Sequence, residues 1–440
     1  MVHVKPGDLV RVVTKSGIIL EGVVLPSTEF TSRGFIVLKL SNGYNIGVSL
    51  DDAKVDVLVE NYLKLAPSEG PQGTTVIRGD GNMRIAFVST GGTIVSKVEY
   101  ETGAVKPALS AGDLIEFVPE LKEIAAELVV SDFMRKLSEN MTPKDWCEIS
   151  GEVGKYLASG ADGVIVAHGT DTMAYTAAAL AFSLRGLGNP VIMVGAQRSS
   201  DRPSTDALYN LRACPLIIRE APFAEVVVAM HGSSDDQYVL VHRGVRVRKM
   251  HSSRRDAFQS INDLPLAKVY IQERKFKLVN RNYIPRSRNV DLVVMNRFSD
   301  KVSLIKFYPG MDCEIIDYLV DRGYRGIIVE GTGLGHIRDE CIESVRRATE
   351  LGVIVAMSTQ TVFGRVDLNV YTTGRKLLKA GVVPLDDMLA EVAFVKLSWL
   401  LGNYPDEEPS EIASKLVTNL VNEIGGTQSF ELFPRWYHGD

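Results

Sequence analysis

Apolar positions follow two different rhythms along the chain. Residues 8–13, 17–24, 34–40 and 44–48 are short β-type runs separated by Gly, Ser and Asn, a pattern of short strands joined by tight turns that predicts a small all-β barrel. A polar stretch at 66–75 carries two prolines and two glycines without apolar periodicity, as linkers do. From Met83 the rhythm changes. Continuous apolar runs at 84–88, 163–167, 191–194 and 226–230 alternate with helical stretches, as expected of parallel strands covered on both faces by helices. A basic, irregular segment at 274–288 precedes a second such series at 290–295, 326–330 and 353–357, with helices predicted over 341–351 and 388–401. The fold class is therefore α/β: a two-domain core of parallel sheets flanked by helices, preceded by the small barrel. The expected boundaries are 1–75 for the barrel and its linker, 76–273 for the first α/β domain, 274–289 for a solvated basic linker, and 290–440 for the second domain. The segment 430–437 is too aromatic for a frayed polar tail and is expected to pack on a neighbouring domain or partner.

Composition narrows the class. At 440 residues the chain has room for two or three units of about 150 residues each. Hydrophobic residues at 45%, charged residues at 23% and a mean hydropathy near zero exclude a disordered chain and a membrane protein. No basic stretch followed by an apolar one opens the sequence, so a cytoplasmic protein is expected. The net charge of -5 provides no general attraction to polyanions. Within residues 1–65, seven Lys/Arg balance seven Asp/Glu, which favours a docking or structural role for the barrel over RNA binding. The cysteines Cys147, Cys214, Cys313 and Cys341 lack the spacing of a zinc site or disulfide framework and are expected to be reduced core thiols, with no metal.

Two loops carry candidate chemistry. The run 84–89 leads directly into Thr90-Gly-Gly-Thr-Ile, and the run 163–167 into His168-Gly-Thr-Asp-Thr followed by a helical stretch. Ligands of open parallel sheets bind beyond the carboxyl ends of the strands, and glycines such as Gly92 and Gly169 let backbone approach them closely. Thr170 and Asp171 stand beside free helix N-terminal amides, which hold anions or oxyanions. Singly, Thr-Gly-Gly-Thr also suits an ordinary turn and Asp171 an ordinary helix cap. If the two strands share one sheet, both loops lie on one edge.

Together these segments, T-G-G-T-I and H-G-T-D-T, resemble the asparaginase/glutaminase family, over roughly residues 80–425. The resemblance implies that Thr93 is the nucleophile, that Tyr100 helps to activate it from a mobile flap, and that Thr170, Asp171 and Lys249 complete the catalytic set. Whether Thr93 or Thr170 attacks first stays open. Ser138 matches the substrate-binding serine, and Glu139 stands where secreted asparaginases usually have glutamine. A threonine hydroxyl needs a base, and a lysine serves as one only where its surroundings disfavour its charge. Arg246, Arg248, Arg254 and Arg255 would do so if close to Lys249, whereas Asp171 would oppose them. Without the resemblance, residues 242–255 would equally suit a basic surface strand. The segment 330–336 resembles the loop that reaches a neighbouring protomer's site in the family; His336 stands where an asparagine often lies, and a glycine-rich phosphate loop is the other reading.

Free-standing family members lack the leading barrel. With it, the chain resembles the glutamine-hydrolysing subunits of archaeal tRNA-dependent amidotransferases. That implies hydrolysis of glutamine, with ammonia passing to a GatE-type companion that amidates tRNA-bound glutamate. No cofactor is expected in this chain; ATP and Mg are expected at the partner, which would also make most of the contact with tRNA(Gln). A homodimer within a heterotetramer, away from any membrane, is the implied assembly. The alternatives are a free-standing cytoplasmic L-asparaginase and a catalytically silent scaffold.

Overall fold

The computed structural model describes residues 4–26, 34–41, 44–51, 53–60, 62, 73–91, 96–98, 105–107, 114, 118–198, 204–426 and 432–433. The leading unit is an antiparallel sheet of five strands, Leu9–Thr14, Ile19–Leu25, Phe35–Leu40, Asn45–Ser49 and Ala53–Val59, with the first strand between the second and the fifth. Alternation along Leu9–Thr14 buries Val10 and Val12 against Val24, Ile36, Leu38 and Val55, while Arg11 faces out and pairs with Glu21 on the adjacent strand.

The next sheet has nine strands, of which the central five are parallel: Ala125–Asp132, Met83–Ser89, Gly163–Ala167, Val191–Val194 and Val226–His231. Their fully apolar sequences follow from helices on both faces, including Pro143–Ala158, Met173–Ser183 and Ala207–Glu220. Antiparallel strands finish both edges. One of them, Lys275–Leu278, lies in the segment expected to be a solvated linker. Its basic residues occupy the outer face, with Phe276 and Leu278 partly buried. Arg286, also of that segment, is partly buried and donates to Asn189 Oδ1, the Ile218 carbonyl and the Asp162 carbonyl.

A four-stranded parallel sheet follows, Val302–Lys306, Gly326–Gly331, Ile354–Thr359 and Val383–Pro384. The run 290–295 is not part of it. Val293–Val294 is exposed and pairs with Leu184–Arg185 of the first domain. The two domains share a core through helices Met173–Ser183 and Ala390–Asn403, where Phe182 stacks on Trp399 at 6.0 Å. Phe433 of the aromatic terminal segment meets Phe363 edge-on at 5.5 Å.

Cys313 and Cys341 form a disulfide, with Cα atoms 4.9 Å apart, which corrects the expectation of four reduced thiols; Cys147 and Cys214 are free. Each half-cystine caps a helix, Glu314–Asp321 and Ile342–Glu350, and the packing of these helices joins positions that chain spacing leaves unrelated. Among the described residues no helix is long and apolar enough to cross a membrane.

Candidate active site

Strands Met83–Ser89 and Gly163–Ala167 are parallel neighbours with Ser89 level with Ala167, so the two candidate loops leave the same sheet edge side by side. Thr90, fully buried, donates to the Ala167 carbonyl from its amide (3.0 Å) and its hydroxyl (2.8 Å). Gly91 has φ +108°, and a Cβ there would stand 2.3 Å from the Lys136 carbonyl; only glycine makes this turn. Gly92, Thr93 and Tyr100 lie outside the described residues. Strands Ser96–Val98 and Val105–Pro107, on either side of Tyr100 in sequence, form an antiparallel ribbon.

The second loop is fixed by His168, which is fully buried. Its Nδ1 is 2.7 Å from the Gly169 carbonyl and its Nε2 2.9 Å from Thr176 Oγ1. A carbonyl only accepts, so the proton resides on Nδ1 and Nε2 accepts from the threonine. Burial pushes the imidazole pKa down to about 4, consistent with a neutral ring. Next, a Cβ on Gly169 would lie 2.7 Å from Ser138 Cβ, and the Ser138 carbonyl accepts from Thr172 Oγ1 at 2.7 Å. Ser138 is thereby buried against residues 169–172, with Glu139 following it on the exposed side.

Lys249 ends the short strand Val247–Lys249. Its Nζ lies 2.9 Å from Thr170 Oγ1 and 2.7 Å from Asp171 Oδ1. The lysine side chain is 13% exposed and the aspartate 65%, so the cluster opens to solvent on the aspartate side. The fold thus brings together Ser138, Gly169, Thr170, Asp171 and Lys249, with Thr90-Gly91 leading toward Thr93. A mostly apolar cavity of about 370 Å³ opens elsewhere, at the opposite sheet edge, lined by Leu184, Val226, Arg243 and Leu420 among others.

The arginines around Lys249 do not crowd it. Arg246 bonds Asp387 and the Asn422 carbonyl, Arg248 lies 3.6 Å from Glu391, Arg254 pairs with Asp256 and Arg255 with Asp236. Each has its own carboxylate. Nor is 242–255 a basic surface strand throughout, since His242, Arg243 and Arg246 are buried. His242 bonds Ser260 Oγ at 2.8 Å, and burial pushes its pKa down to about 3.

These two histidines make acid sensitivity a property of the fold. Both have folded pKa values below the 6.5 of an open imidazole, so the unfolded chain binds protons first. Their contribution is fully present above pH 6.5 and is lost as pH falls toward 4 and then 3, at up to about 1.4 kcal/mol per pH unit for each ring. Denaturant titrations at pH 7, 5.5 and 4.5 are expected to show this decline, with a shallower slope in His168→Gln; an equal slope would remove His168 from the account.

A two-domain asparaginase-type amidohydrolase is the class that this fold and cluster define. Matches to family models divide the chain accordingly: "Asparaginase, N-terminal" over residues 84–282, "Glutaminase/Asparaginase C-terminal domain" over 301–413, and "GatD N-terminal domain" over 4–58. The L-asparaginase of Thermococcus kodakarensis superposes with a TM-score of 0.69 at 33% identity, covering 78% of this chain and 100% of its own. The chain is 50% identical to the GatD-type subunit of the Sulfolobus acidocaldarius glutamyl-tRNA(Gln) amidotransferase, over 98% of this chain and 94% of that one. It is 51% identical to the corresponding Metallosphaera sedula protein, over 98% and 95%. The chain belongs to the GatD family of glutamyl-tRNA(Gln) amidotransferase subunits.

Proposed function

We propose that the chain hydrolyses glutamine to glutamate and ammonia and that the ammonia is used by a companion subunit to convert Glu-tRNA(Gln) to Gln-tRNA(Gln). The observation that carries this reading is the Lys249–Thr170–Asp171 cluster, with Nζ 2.9 and 2.7 Å from its partners, at the sheet edge from which the Thr93 loop departs. In the proposed reaction the Thr93 hydroxyl, assisted by Tyr100, attacks the side-chain amide carbon. The Thr93 proton passes through Thr170 and Lys249 to the departing nitrogen. The C–N bond breaks, ammonia leaves, and water then cleaves the acyl-threonine ester to release glutamate. Backbone amides near Thr93 or Thr170 stabilise the oxyanion. Asp171 and Glu139 meet the substrate α-ammonium, and Ser138, Gly92 and Gly169 shape the pocket around it.

A GatE-type companion, holding ATP and Mg and making most of the contact with tRNA(Gln), is the proposed consumer of ammonia, in a cytoplasmic heterotetramer built on a homodimer of this chain. The leading β unit favours this reading over a free-standing L-asparaginase, because residues 4–58 match the GatD N-terminal model while the Thermococcus kodakarensis asparaginase is spanned in full by only 78% of this chain.

The discriminating experiment is ammonia release from glutamine and from asparagine, by the chain alone and with its companion and glutamate-charged tRNA. Glutamine should be preferred by at least about tenfold in kcat/KM, the scale of a one-methylene discrimination, and its hydrolysis should rise when companion and tRNA are present. Efficient asparagine hydrolysis indifferent to both would favour the asparaginase reading.

A further inference from the structure

The strand that carries Lys249 is gripped from the second domain at several points. Arg246, three residues earlier and 2% exposed, donates to the Asp387 carbonyl (3.1 Å), Asp387 Oδ1 (3.2 Å) and the Asn422 carbonyl (3.0 Å). Arg248, immediately before Lys249, has Nη1 3.6 Å from Glu391 Oε2. The strand pairs with Phe258–Ser260, and just beyond that pairing Asn262 exchanges two hydrogen bonds with Gly364, at 3.0 and 3.1 Å.

Asp387 and Glu391 are both buried and flank the start of helix Ala390–Asn403, where the helix dipole favours negative charge. Arg248, Glu330 and Tyr175 are the ionisable neighbours of Glu391: burial raises the Glu391 carboxyl, Arg248 draws it back, and Glu330 raises it further. A buried carboxylate in such a place needs its cation, so the two side chains hold each other.

We propose that Glu391 is a positioning residue for Lys249, acting through Arg248 across the domain interface. The inference rests on reading Lys249 as part of the proton path. Successive side chains of a strand point to opposite faces, so fixing Arg248 on the second-domain side directs Lys249 toward Thr170 and Asp171. The lysine tip must meet two partners at once from the end of a flexible four-carbon stem. Anchors three residues and one residue before it remove most of the strand's freedom to rotate or slide. Errors of about 1 Å in such a constellation cost on the order of a hundredfold in rate, and loosening one anchor of two should cost less.

The test compares Glu391→Gln, Glu391→Asp, Arg248→Met and the double variant Glu391→Gln/Arg248→Met in the full-length chain, at a temperature where circular dichroism finds all of them folded. Glu391→Gln should lower kcat for glutamine about tenfold with KM within twofold, and shift the acidic limb of the kcat–pH profile. Glu391→Asp should recover part of the loss. Arg248→Met should reproduce the defect, and the double variant should be no worse than either single one, as expected of residues acting as one unit. Should Glu391→Gln fail to fold, Arg248→Met, whose side chain is 34% exposed, supplies the same readout. Unchanged kcat and pH profile, or losses that multiply in the double variant, would overturn the proposal. Lys249→Met separates the two claims. If it is inactive while Glu391→Gln is normal, only the positioning role fails; if it is fully active, the reading of Lys249 fails with it.

Discussion

Lys249→Met should reduce glutamine hydrolysis by about a thousandfold while leaving KM within a few-fold, and Thr170→Val should do nearly the same. Methionine keeps the apolar stem of the lysine and removes only the nitrogen that lies 2.9 Å from Thr170 Oγ1 and 2.7 Å from Asp171 Oδ1. Positioned proton transfer contributes about 10²–10⁴ in rate, so its loss falls on kcat. If lysine and Thr170 form one path, the double variant is no slower than the slower single one. Folding should be spared, because the Asp171 partner is 65% exposed and an ion pair so open to water stabilises by no more than about 1 kcal/mol. Ammonia release measured beside a thermal unfolding scan separates these effects. Retention of more than about a tenth of the activity in Lys249→Met would remove the lysine from the proton path.

The parts of the site legible in the sequence were those set by local rules. A continuous apolar run followed by a Gly-Thr loop and a helical stretch reads as a parallel strand delivering its loop to the sheet edge, and Thr170 and Asp171 stand there. Lys249 was legible by resemblance, and its two short contacts bear out only its proximity to them. What stayed hidden depends on residues far apart in the chain. The cluster Arg246, Arg248, Arg254 and Arg255 reads as mutual repulsion, yet strand alternation and the following turn send the first two to Asp387 and Glu391 of the second domain and the others to Asp256 and Asp236.

His168 belongs to a visible motif, but its work as a buried neutral clamp between Gly169 and Thr176 appears only once helix and loop are folded together. Cys313 and Cys341 meet because two helices pack their N-terminal ends together. The run at 290–295 looks like a core strand by composition, but Val293 and Val294 are 52% and 37% exposed and bridge to the first domain. Apolar residues at such a crossing look no different from those of a sheet interior.

The second large effect concerns where the ammonia goes, and it rests on Thr93, placed at the nucleophile by resemblance and by the course of Thr90-Gly91 toward it. Alanine there removes the only hydroxyl proposed to form the acyl-enzyme, so glutamine ceases to be a nitrogen source. Nothing in the proposed reaction asks Thr93 to act on the tRNA or on ATP. Free ammonia supplied from solution bypasses the step, and the companion's chemistry should proceed as before. The two nitrogen sources therefore distinguish a lost nucleophile from a damaged assembly.

The decisive measurement is Gln-tRNA(Gln) formation by the reconstituted complex containing Thr93→Ala, with glutamine and then ammonium chloride as nitrogen donor. The account predicts a loss of at least about a thousandfold with glutamine, the scale expected when a covalent nucleophile is removed, and an ammonium-dependent rate equal to wild type. Persistence of the glutamine-dependent reaction, or an equal loss with both donors, would contradict it.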